Sequence, residues 1–69
     1  MAFQLTEQGK RSAEKIEEPR DPETTVIAFM YSIGTPVEME EIQGRLRTND
    51  EKTLRIMDRL KNTGFVEEV

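Results

Sequence analysis

A chain of 69 residues without a single cysteine or histidine must be held together by packing alone. A core of this size rarely supplies more than about 3–5 kcal/mol, and small domains usually add disulfides, a metal or a second subunit. Disulfides and the common zinc sites are excluded by composition, which leaves efficient helix packing or oligomerisation. The same absence removes Ser-His-Asp, Cys-His and imidazole acid–base chemistry, so the sequence reads as non-enzymatic, with no cofactor and no metal. No apolar run approaches the roughly 20 residues of a membrane span. No secretory signal opens the chain, and a cysteine-free chain fits the cytoplasm.

Residues 48–64 carry the clearest pattern. Thr48 and Glu51 have capping-box spacing, and Gly64 stands where a helix ends in a left-handed residue. At about 100° per residue, Thr53, Leu54, Met57 and Leu60 share an apolar side. Lys52, Arg55 and Arg59 fall within a sector of roughly 60° elsewhere on the helix. Such a charged side is most often simply solvated. Regional charge argues for more. Residues 44–63 hold six basic against three acidic residues, net +3, whereas the remainder holds four against eleven, net −7, giving −4 in all. This small acidic protein gathers its cations on one helix and its approach, which is a statement about partners.

Along the chain, residues 2–6 alternate with Phe3 and Leu5 on one face and predict a short strand. Thr6 is the expected N-cap of a helix over 7–18, which has a thin apolar side of Gly9, Ala13 and Ile16 and ends at Pro19. Asp21 and Pro22 open the next helix, which runs to about Ile33 and stops at Gly34. It is the most apolar element and the expected core helix. Thr35-Pro-Val37 reads as an extended connector, and 38–46 as a short helix with Met39, Ile42 and Leu46 on one side. Glu38, Glu40 and Glu41 crowd its first turn, where carboxylates favour the positive end of the helix dipole rather than forming a metal site. Residues 65–69 predict a closing strand, with Phe65 a core candidate and Val66 and Val69 on opposite pleats. The whole of 1–69 reads as one domain, α+β and mostly α, with four helices and a two-stranded antiparallel sheet formed by the N- and C-terminal strands.

The order from residue 22 onward is helix, connector, short helix, tight turn, helix, strand. Thr53-Leu-Arg-Ile-Met-Asp-Arg-Leu-Lys-Asn-Thr-Gly-Phe-Val-Glu67 resembles the recognition helix and first wing strand of winged helix-turn-helix regulators of the MarR kind. Gly34-Thr-Pro-Val37, with Ile42 and Leu46, resembles the lead-in and second helix. Phe3-Gln-Leu-Thr-Glu-Gln-Gly-Lys-Arg-Ser-Ala-Glu14 resembles the second wing strand and trailing helix of such regulators, here placed first. The resemblance covers about two thirds of the chain from its C-terminal side and implies a permuted order. Residues 2–6 would pair with 65–69, in one chain or across a dimer, and no wing tip would join them.

What the resemblance implies is a transcriptional regulator that binds double-stranded DNA, with helix 49–63 in the major groove. Lys52, Arg55 and Arg59 would meet bases or phosphates, and Arg45, Arg47 and Asn49 the flanking backbone. A homodimer would double that patch. Asp50 and Glu51 at the helix start, and the acidity of the whole chain, work against DNA. The alternative is a winged-helix adaptor that docks a protein, with Tyr31, Ile56 and Met39 as apolar contacts if exposed; the simpler reading of those three is core or core margin.

Overall fold

The computed structural model describes all 69 residues as four helices and one three-stranded antiparallel sheet. The elements are β1 (Ala2–Leu5), α1 (Glu7–Glu14), α2 (Pro22–Ile33), β2 (Val37–Glu38), α3 (Met39–Leu46), α4 (Asp50–Asn62) and β3 (Val66–Glu68). No helix is long and apolar enough to cross a membrane.

The first strand is the middle of the sheet. β1 pairs with β3 in the register Phe3↔Glu68, Gln4↔Glu67 and Leu5↔Val66, so the expected pairing of the two terminal strands forms within one chain. The sheet nevertheless has three strands rather than two. Part of the 35–37 connector, expected only to be extended, pairs with the other edge of β1 at Phe3↔Val37, and the next residue continues at Ala2↔Glu38. Pro36 keeps Thr35 out of the helical region, and Val37 then turns its side chain wholly into the core. Two paired residues are too few to display a period of two, which is why the strand escaped the pattern.

Every element contributes to one core: Phe3, Ala13, Val26, Ile27, Met30, Val37, Ile42, Met57, Leu60 and Val66 are all buried. Burying a large apolar side chain is worth about 1.5–3 kcal/mol. The single buried polar side chain among the helices and strands, Thr53, donates its hydroxyl to the Asn49 carbonyl at 2.9 Å, and no buried side-chain polar atom lacks a partner. α2 supplies three of these residues, as its composition predicts. Its ends follow the sequence signals: Asp21 Oδ1 accepts the Thr24 N–H at 2.8 Å, and Gly34 closes the helix at φ 79°.

Helix α1 is shorter than the expected 7–18. Lys15 and Ile16 fold back onto the Ser12 and Ala13 carbonyls, both at 3.1 Å, and Ile16 packs against the core. Glu17 and Glu18 have no apolar surface to add, and carboxylates are disfavoured at the negative end of a helix. Thr6 does more than cap. Its Oγ1 accepts the Gly9 N–H at 3.1 Å and donates to the Gly64 carbonyl, while its own N–H donates to the Phe65 carbonyl at 3.0 Å. One residue thus ties the β1–α1 corner to the α4–β3 corner. Phe65 itself is half-buried and leans on the core from its edge, whereas Val66 faces inward and Val69 outward as the alternation requires.

Candidate nucleic-acid interface

The cations gather around the corner between α3 and α4. Arg47 closes α3 in the left-handed region at φ 55°, its N–H donating to the Gln43 carbonyl at 2.9 Å. Two residues later Asn49 caps α4. Its Oδ1 accepts the Lys52 N–H at 2.9 Å, so the cap is Asn49 and not Thr48, and the helix occupies 50–62 rather than 49–63. The Thr48–Glu51 box does not form because the helix starts one residue later, at Asp50, which puts Asn49 in the capping position. Glu51 turns to Arg55 instead. On α3, Glu41 carries out the expected end stabilisation, its carboxylate accepting the Glu38 N–H at 3.0 Å.

Three sides of α4 are distinguishable. Thr53, Met57 and Leu60 are buried against the core. Leu54, expected with them, is 43% exposed. The buried side centres on Thr53 and Leu60, which leaves Leu54 on its far margin. There it stands one turn from Asp50 and one turn from Asp58, and neither aspartate has an ion-pair partner. The third side carries the cations.

Arg45, Arg47 and Lys52 are exposed and form no ion pair. Arg55 and Arg59 are also exposed, but each is drawn to an acid of the same molecule. Arg55 Nη2 lies 3.3 Å from Glu51 Oε1 one turn away, and Arg59 Nη1 lies 3.4 Å from Glu23 Oε2 at the start of α2. Lys61 Nζ reaches Glu68 Oε1 of β3 at 3.4 Å. The two arginine side chains retain 66% and 65% of their exposure. Solvent-exposed pairs of this kind are worth about 0.2–1 kcal/mol, less than a bidentate contact to a base edge at about 1–3 kcal/mol. The acids lower the field of the cationic side without locking the arginines.

No protein-family model, curated protein or solved structure matches the chain.

Of the residues singled out from sequence, Arg45, Arg47, Asn49 and Lys52 lie along the short stretch from the end of α3 into the first turn of α4, and Arg55 and Arg59 continue along that helix. Asn49 commits its side-chain oxygen to the helix cap, which leaves only its amide group for a ligand. Of the three apolar contacts considered, Tyr31 is 45% exposed, with its hydroxyl donating to Glu14 Oε2 at 3.2 Å. That acid raises the phenol above its ordinary value, by the hydrogen bond first and by charge second. Ile56 and Met39 lean on the core. Glu23 was missed. It stands 36 residues from Arg59, and no local pattern could have paired them.

Proposed function

We propose that the chain is a winged helix-turn-helix DNA-binding protein that regulates transcription, with the second wing strand and trailing helix permuted to the front. The observation that carries this reading is the cluster of Arg45, Arg47 and Lys52, exposed and without acidic partners, leading into the arginine side of α4. The in-chain pairing of β1 with β3 supports it, because the permuted order requires those strands to be neighbours. So does the short α3–α4 turn, which leaves α4 projecting its polar sides to solvent. In this reading α4 enters the major groove, Arg55 and Arg59 exchange their carboxylates for base edges or phosphates, and the corner cations bind the backbone.

Anisotropy of a labelled duplex, titrated at about 50 and about 200 mM salt, tests this. Five phosphate contacts imply an affinity loss of roughly 500-fold across that range. Arg55→Ala and Arg59→Ala should each weaken binding further. Absence of binding at the lower salt contradicts the reading.

A second reading is favoured by the exposed Leu54 between Asp50 and Asp58. There α4 serves an adaptor, docking a protein whose apolar pocket is rimmed by cations. Failure to bind DNA would move this reading ahead, and Leu54→Asp would then be the informative variant.

A further inference from the structure

The sheet has a gap along one edge of its central strand. β3 pairs with β1 as far as Leu5, but β2 pairs only with Ala2 and Phe3. Before Val37 the chain bends away through Gly34, Thr35 and Pro36. In an antiparallel ladder successive residues direct their backbone groups to alternate sides. Thr6 donates to Phe65 and Val69 donates to Ala2, so the even-numbered residues of β1 face β3; Met39 donates to the Met1 carbonyl, so the odd-numbered ones face β2. Leu5 is odd-numbered, and its N–H and C=O face the side on which β2 has already ended.

A groove of about 340 Å³ occupies this place. Leu5 and Thr6 line one part of it and Thr35 and Pro36 another, with Met30 and Tyr31 between the two in sequence. Its charged lining is Glu7 and Glu67 against Lys10. No residue of α3 or α4 lines it, so it is separate from the cationic side.

We propose that this gap receives an extended segment of a partner protein, which adds a short strand beside Leu5 and carries Lys or Arg next to β-branched residues. The main-chain groups of Leu5 supply the ladder, as in other cases of strand addition to an open sheet edge. The two carboxylates, in a surface that is net −7 outside residues 44–63, select a cationic segment. A second copy of this chain does not fit that chemistry, because its own edge strand β3 would bring Glu67 and Glu68 against Glu7 and Glu67.

The test is an amide-resolved NMR titration of the full chain with the peptide acetyl-Lys-Val-Thr-Val-Lys-amide. The expected result is shifts confined to residues 4–10, 30–37 and 66–68, with slowed hydrogen exchange at Leu5. The same peptide N-methylated on its central amides, and its acidic counterpart with Glu for Lys, should bind at least about tenfold more weakly. Glu67→Gln should weaken the cationic peptide roughly 2- to 5-fold while leaving the folded spectrum intact. The proposal is overturned by no shifts at millimolar peptide, by shifts spread over the whole acidic surface, or by equal binding of the N-methylated peptide. It stands apart from DNA binding, since either result is possible whichever way the duplex titration falls.

Discussion

Gly9 of α1 faces the backbone carbonyl of Phe65 so closely that a methyl group on its Cα would overlap the oxygen. That oxygen already accepts the Thr6 N–H, so it has no freedom to retreat. The close approach lets a polar eight-residue helix settle against the start of β3. Gly9→Ala should therefore destabilise the fold by about 1–3 kcal/mol, the usual penalty for forcing atoms into a packed contact. Gly44, in the exposed middle of α3, has open space around the same position. Gly44→Ala should stabilise by about 0.5–1 kcal/mol. Urea denaturation of the two variants should show opposite signs, and a Gly9→Ala variant as stable as the parent or more so would argue against the α1–β3 contact.

Arg47 is the only non-glycine residue with positive φ. A left-handed residue with a Cβ costs about 1–2 kcal/mol, partly offset by the greater backbone freedom glycine loses on folding. Arg47→Gly should raise stability by roughly 0.5–1 kcal/mol and at the same time weaken DNA binding through the lost cation. Thermal unfolding and duplex titration of one variant would then move in opposite directions. A variant that binds as well as the parent would remove Arg47 from the interface.

Asp21 supplies an internal pH dependence. The Thr24 N–H, and after it the Thr24 hydroxyl, hold the Asp21 carboxyl below its ordinary value of 3.8. The folded state therefore takes up this proton less readily than the unfolded chain. Its stabilisation is complete above the unfolded value and is lost as pH falls through the lower folded one. Asn also caps helices well, so Asp21→Asn keeps the cap and deletes the titration. The stability difference between parent and variant should be constant around neutral pH and change only in the acid range below about 3.8. A difference that does not vary with pH would contradict the hydrogen-bonded carboxylate.

Glu23 restrains Arg59 across 36 residues of sequence. Both groups remain in contact with solvent, so Glu23→Gln should alter unfolding free energy by less than about 1 kcal/mol. Releasing Arg59 should tighten DNA binding by roughly 1.5- to 5-fold. Weaker binding in this variant would mean that the acid positions the arginine rather than competing for it.

Much of the architecture was legible because it is written in punctuation. Asp21 with Pro22, Gly34 after Ile33, and Gly64 before Phe65 each mark a helix boundary by local stereochemistry, and each stands where that stereochemistry places it. Thr6 was readable as a cap, but its bonds to Gly64 and Phe65 were not, since they join positions 58 or 59 residues apart. The Val37–Glu38 strand was too short to carry a pattern. The helical period places Leu54 inward because its angle lies near that of Met57, yet only the direction of the neighbouring elements decides which end of an apolar arc is covered. The cationic residues were visible as a cluster; the restraint of Arg59 by Glu23 is a tertiary fact.

The central claim is that DNA meets the arginine side of α4 and the corner before it. Amide-resolved NMR of the full chain, titrated with a short duplex, examines this directly. The account predicts that the strongest shifts fall on residues 45–59, with Arg45, Arg47, Lys52, Arg55 and Arg59 among them, and that they fade as salt is raised. Shifts centred instead on Lys10, Arg11 and Lys15 of the N-terminal third, or none at low salt, would contradict it.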